Sequence, residues 1–206
     1  MKGKKMNYND IEFKILVEKI KEDLKNKVNE KRYIHSCLVA EVSKKLAKTY
    51  GENEKEAYLT GLSHDIAKDF SDEENKYFAK KYNLPEYIFD DSYKKILHSD
   101  IGAVVCKEWY NFSDKMANAI KYHTIGNETM TTFEKIIFIS DKIGRENIPE
   151  DLIPVKDIVY KNLDEAVLFF LTKQKEKFDA KGKKQAVSTI KLMENLKRKL
   201  NGECNK

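Results

Sequence analysis

The sequence predicts an all-α fold, and three features lead there. Apolar residues recur at three- and four-residue spacing along most of the chain, the periodicity of a helix with one buried face. Only eight glycines and three prolines punctuate 206 residues. Strict apolar–polar alternation, the mark of a half-buried strand, is scarce.

The elements are expected in this order. Asp10 to Lys27 forms a first helix, with Ile11, Ile15, Leu16, Ile20 and Leu24 as its stripe. A second runs from Lys31 to Tyr50 through Ile34, Leu38, Val42 and Leu46, and Gly51 ends it as a C-terminal cap. A third spans about Glu54 to Lys68. Ser71 caps a fourth through Asp72 to Tyr82, which Leu84-Pro85 stops because a residue before proline avoids helical geometry. Ile96, Ile101, Val105 and Trp109 mark the next stripe, and Ser113 caps a helix ending near His123. Thr131 and Glu134 have the spacing of a capping box, opening a helix through Ile136, Ile137 and Asp141. Pro154 to Leu200 supplies two or three more helices, with Gly182 as a break. No internal repeat or Ser/Gly-rich linker divides residues 1–206, so they are expected to form a single domain.

Composition narrows the function. With 41% hydrophobic residues, the chain has enough Leu, Ile, Phe and Tyr to form a core and is not a disordered protein. Its longest apolar run, Ala166 to Leu171, is far short of the ~20 residues a bilayer requires. The basic start Met1-Lys-Gly-Lys-Lys leads through Met6 into Asn-Tyr-Asn-Asp rather than an apolar stretch, unlike a secretory signal. Cys37, Cys106 and Cys204 are odd in number and widely spaced, which disfavours a disulfide scaffold or thiolate zinc site and suits a reducing cytoplasm. The 39 Lys and Arg are interleaved with 34 Asp and Glu, so the net charge of +5 forms no nucleic-acid-binding cluster.

The chain has four histidines, His35, His64, His98 and His123, each on or beside a predicted helix. His35, His98 and His123 have apolar residues at helical spacing, so they are expected to face inward. Buried imidazoles lose hydration and need partners or a metal in compensation, and neutral imidazole is the commonest protein metal ligand. His64 and Asp65 are adjacent in an apolar stretch, so on a helix they diverge by about 100° and converge on an ion only if it lies between them. Asp141 is a carboxylate among apolar neighbours, costly to bury without a cation.

The ordered set His35, His64-Asp65, His98, His123 and Asp141 resembles the signature of the HD-domain metal-dependent phosphohydrolases. A narrower resemblance is carried by Arg32-Tyr-Ile-His35, Gly61-Leu62-Ser63-His64-Asp65-Ile66-Ala67-Lys68, Leu97-His98, Gly102-Ala103 and Ile120-Lys121-Tyr122-His123-Thr124. These segments are similar to the YqeK-type family of symmetrical diadenosine tetraphosphate hydrolases. The resemblance covers about residues 8–175, leaving about 176–200 as a C-terminal helical appendage. It departs at Ser140-Asp141-Lys-Ile-Gly144-Arg145, where the family has Ile-Glu-Pro-x-Arg after its aspartate.

What the resemblance implies is specific. An HD-domain helical bundle would hold two transition-metal ions, Fe foremost, with Mn or Co as alternatives. His35, His64, Asp65 and Asp141 would take one ion, and His98 and His123 the other, with Asp65 bridging. Diadenosine tetraphosphate would be split into two ADP. Asp65 and Lys68 are the candidate catalytic residues, with Lys68 at i+4 from His64 aiming a cation at the phosphates or, alternatively, ending the helix in solvent. Thr124, Gly126 and Arg145 are the further candidate substrate contacts. Trp109 and the tyrosines are read as core rather than base-stacking residues. A homodimer is compatible, and neither nucleic acid nor membrane is expected as a partner. The competing readings are another HD-domain nucleotide phosphohydrolase, such as a nucleotidase or deoxynucleotide triphosphohydrolase, and a non-catalytic helical metal-binding module. The cyclic dinucleotide phosphodiesterases are disfavoured because no Gly-Tyr-Pro occurs.

Overall fold

A computed structural model describes residues 8–202, so the basic start and Cys204 lie outside the described residues. Among the described residues ten α-helices follow one another: α1 (Asp10–Lys27), α2 (Glu30–Thr49), α3 (Glu54–Ser63), α4 (Asp72–Lys81), α5 (Leu97–Tyr110), α6 (Asp114–Tyr122), α7 (Thr132–Ile143), α8 (Val155–Ile158), α9 (Leu163–Asp179) and α10 (Val187–Leu200). Short 3₁₀ turns occupy Glu86–Phe89 and Glu150–Leu152, and the described residues contain no strand. None of their helices is long and apolar enough to cross a membrane.

The expected caps are present because their side chains satisfy backbone N–H groups that have no partner inside the helix. Ser71 and Thr131 each close both halves of a capping box, with Glu74 and Glu134 returning the bond. Ser113 accepts from the Met116 N–H. Gly182 takes a left-handed φ of +62°, which a side chain disfavours, and breaks the chain between α9 and α10.

Two expected stripes are rotated from the faces that are buried. On α1 the core takes Val17, Ile20 and Leu24, whereas Ile11 and Ile15 are exposed. On α2 it takes Ser36, Val39, Ala40, Ser43, Leu46 and Ala47, and Ile34 is exposed. The reason on α2 is its close crossing with α3. A Cβ on Gly61 would lie 2.6 Å from Ser43 Oγ and 3.1 Å from Ala40 Cα, so small residues set the contact face. His35 therefore borders the buried face and is half-buried, not fully inward.

The third helix stops five residues short of its expected end. The His64 ring nitrogen Nδ1 lies 2.8 Å from the Gly61 carbonyl, beside the α3 terminus. Beyond Ser63 the backbone closes tight turns, with Ile66 donating to Ser63 and Lys68 to Asp65. His64, Asp65 and Lys68 thus sit on successive turns, so the helical i+4 relation between His64 and Lys68 does not hold.

α3 and α7 pack against each other and each against α2 and α6, α5 covers α6, and α9 joins α7 to α10. Leu192, Met193 and Leu196 of α10 belong to the same buried cluster as α7. Trp109 packs against Phe70 and Phe78, the core role expected of it.

Candidate metal centre

His35 comes from the first turns of α2, His64 and Asp65 from the turns after α3, and His98 from the start of α5. His123 follows the last residue of α6, and Asp141 lies near the end of α7. All of these side chains but the fully buried His64, though distant in sequence, line one cleft of about 610 Å³. Asn29, Lys31, Arg32, Lys68, Thr124, Lys142 and Arg145 also line it.

Backbone carbonyls set the imidazole tautomers. Nδ1 of His35, His64 and His123 lies 3.0, 2.8 and 2.6 Å from the carbonyl oxygens of Gly144, Gly61 and Ile120. A carbonyl only accepts, so each Nδ1 donates its proton and each Nε2 keeps a lone pair. Those lone pairs converge on carboxylates. His35 Nε2 is 2.9 Å from Asp141 Oδ1, and His64 Nε2 is 3.5 Å from the same oxygen. His98 and His123 place their Nε2 atoms 3.3 and 3.5 Å from Asp65 Oδ1. Asp65 turns its other oxygen to His64, at 3.8 Å, and to Arg32 Nη1, at 3.0 Å.

These donors fit metal ions. An unprotonated ring nitrogen facing a carboxylate is repulsive unless a proton or cation lies between them, and His64 Nε2 is wholly buried with no hydrogen-bond partner. Two triads, His35–His64–Asp141 and His64–Asp65–His123, bring their donor atoms within 4.8 Å of one another. His98 adjoins the second, its Nε2 being 3.3 Å from that of His123.

Charge around the site follows from burial and its neighbours. Burial would raise both aspartates. His64, His123 and His98 instead hold Asp65 well below the usual carboxylate range, and Lys142, His35 and His64 do the same for Asp141. Burial pushes His98 down to about 4 and lowers His123. His64 goes the other way, because Asp65 and Asp141 outweigh its burial. Burial also lowers Lys68.

A stability prediction follows for the chelator-treated protein. Between the ordinary histidine value of about 6.5 and the lowered value of His98, the unfolded chain binds more protons than the folded one. His98 and His123 therefore contribute stability that is present above that window and lost as pH falls through it. The aspartates contribute in the same direction at lower pH, and His64 in the opposite one. The melting temperature is expected to fall between about pH 7 and pH 4.5; a flat or rising profile would contradict the burial of neutral His98 and His123.

The remaining candidates divide. Lys68 Nζ reaches the His98 ring, 2.9 Å from Nε2. Thr124 Oγ1 lies 3.2 Å from His123 Nε2. Arg145 lines the cleft and donates to the Asp141 carbonyl oxygen at 2.9 Å. Gly126 is not among the residues lining the cleft, because it turns under α10. A Cβ there would lie 2.7 Å from Leu192 Cδ2, and the residue lines instead a second hollow that shares Thr124 with the cleft.

Two cations bonded to the aspartates of the site were not singled out from the sequence. Arg32 grips Asp65 and reaches Asp69 Oδ2 at 3.3 Å through Nε. Lys142 Nζ lies 2.6 Å from Asp141 Oδ2. A signal existed for both: Arg32 precedes His35 by three residues, one helical turn, and Lys142 directly follows Asp141.

An all-helical bundle with this histidine–aspartate centre defines a class: residues 32–146 match the family model described as HD domain, and the chain belongs to that family. That membership, with the two triads, implies divalent metal binding. Among its relatives is a Staphylococcus aureus protein named symmetrical bis(5'-nucleosyl)-tetraphosphatase. It is 35% identical over 70% of this chain and 74% of its own. A Bacillus subtilis protein of the same name is 28% identical, over 70% of this chain and 78% of its own. A solved structure from Clostridium acetobutylicum, described as a predicted HD superfamily hydrolase involved in NAD metabolism, superposes with a TM-score of 0.80. It shares 28% identity and covers 89% of this chain and 97% of that one.

Proposed function

We propose that the protein hydrolyses diadenosine tetraphosphate symmetrically to two ADP. The observation that carries this reading is the cleft itself, where a carboxylate shared between groups of imidazoles is ringed by Lys31, Arg32, Lys68, Lys142 and Arg145. Such a ring suits a polyanion, since each phosphate brings charge that cations neutralise best where water is partly excluded. The names of the relatives point to the same substrate.

His35, His64, Asp65 and Asp141 would hold one ion, and His98 and His123 the other, with Asp65 reaching both. Two divalent ions bound there supply a water of lowered pKa and neutralise phosphoryl charge. The donor set has nitrogen and oxygen but no thiolate, which favours Fe, then Mn or Co, over a structural zinc site. The backbone carbonyls of Gly144, Gly61 and Ile120 hold three imidazoles in the ligating tautomer. Arg32 donates to Asp65 and orients it. Lys68 and Arg145 bind phosphate oxygens, and Thr124 contacts the phosphate nearest His123. Water adds to one of the two central phosphorus atoms as the bond to the oxygen between them breaks. One ADP leaves on that oxygen, and the other carries the new one.

The same reading places the enzyme in the cytoplasm, where Cys37 and Cys106 remain free thiols. It has no nucleic-acid or membrane partner, and the exposed Ile11 and Ile15 of α1 suit a homodimer contact. Incubation of metal-loaded protein with diadenosine tetraphosphate is expected to yield ADP alone, with chelation abolishing turnover and metal restoring it. Formation of ATP and AMP, or turnover only of a mononucleotide, would overturn the assignment.

A further inference from the structure

A second hollow, of about 220 Å³, adjoins the metal cleft, and Thr124 lines both. Thr124 Oγ1 is also 2.6 Å from Ser99 Oγ, and Ser99 lines the second hollow. A nucleotide whose phosphates lie at His123 therefore has its nucleoside end beside this space.

The walls of the hollow combine aromatic rings with a buried carboxylate. Tyr87, on the turn Glu86–Phe89, meets Tyr93 edge to face with ring centroids 5.4 Å apart. Asp100 of α5 is only 6% exposed. The Tyr93 hydroxyl donates to its Oδ2 at 2.9 Å, and Lys121 Nζ lies 3.5 Å from Oδ1. A carboxylate has about four acceptor positions, so these two contacts leave room for further donors. None of Tyr87, Tyr93 and Asp100 lines the metal cleft, so binding the ions does not account for them.

We propose that this hollow seats one nucleoside of the substrate, with the base against Tyr87 and Tyr93 and the ribose hydroxyls donating to Asp100. Every base has a π-face that aromatic side chains bind without sequence readout, and a carboxylate is a common acceptor for ribose hydroxyls. The assignment rests on the polyphosphate reading of the cleft and adds which residues hold the nucleoside.

The test compares two probes on metal-loaded protein, ADP and inorganic pyrophosphate, by calorimetric titration. Tyr87→Ala and Asp100→Asn are each expected to weaken ADP roughly tenfold, the scale of losing one stacking contact, while pyrophosphate affinity stays unchanged. KM for diadenosine tetraphosphate should rise by a similar factor. Tyr87 is 54% exposed, so its removal leaves the fold intact even if Asp100→Asn does not fold. Unchanged ADP affinity in Tyr87→Ala overturns the nucleoside seat, as does an equal loss of ADP and pyrophosphate. If the wild-type protein binds ADP in a Tyr87-dependent way but does not split diadenosine tetraphosphate, the reaction falls and the seat stands.

Discussion

Asp65→Asn is expected to lower turnover about a thousandfold while leaving the helical fold in place, the scale on which one electrostatic contact to a transition state is lost. Asp65 turns both of its oxygens toward imidazoles, Oδ1 toward His98 and His123 and Oδ2 toward His64, with Arg32 also on Oδ2. Asparagine keeps the shape but removes the negative charge and replaces one oxygen with an NH₂ group that only donates, so one side of the centre loses its oxygen ligand. Arg32 then loses a partner, but its side chain is one-quarter exposed and water solvates it, so stability changes little. Metal content should fall from a pair to about one ion per chain. Circular dichroism, elemental analysis and ADP release on the same preparation test this together. A variant that keeps both ions and its activity would show that Asp65 is not shared.

Arg32→Met is expected to weaken metal binding and activity by roughly 10–100-fold, the usual effect of removing a partner that orients a ligand. The guanidinium spans Asp65 and Asp69, and Asn29 Nδ2 donates to the same Asp69 oxygen at 3.0 Å. Methionine keeps the apolar stem and removes the fork. Arg32→Lys should recover little, because an ammonium is a point charge that cannot hold both carboxylates in one geometry. The metal dissociation constant, measured by competition with a chelator, separates this orienting role from a phosphate contact, which would change KM alone. An unaltered dissociation constant would remove Arg32 from the metal centre.

Periodicity and capping chemistry made most of the helices legible before any coordinates. Ser71, Ser113 and Thr131 mark their helix starts because cap bonds are local, joining residues two or three apart. The six metal-site candidates were legible for a different reason: few residue types ligate metals, and this chain has only four histidines. Which face of α2 is buried was not legible, because the small residues Ala40, Ser43 and Gly61 carry the contact, and bulk hydrophobicity does not report a close crossing. The end of α3 was missed because local propensity does not register a histidine ring turned onto the Gly61 carbonyl.

The order of helices and the chemistry of the ligands are properties of short stretches and of side-chain type, so the amino-acid string was enough for them. Convergence is different. Asp141 meets His35 across 106 positions, Arg32 reaches Asp65 across 33, and Gly126 lies against Leu192 of the last helix. Each of those outcomes depends on how whole helices pack, and packing is settled by the summed shape of many distant side chains rather than by any local pattern.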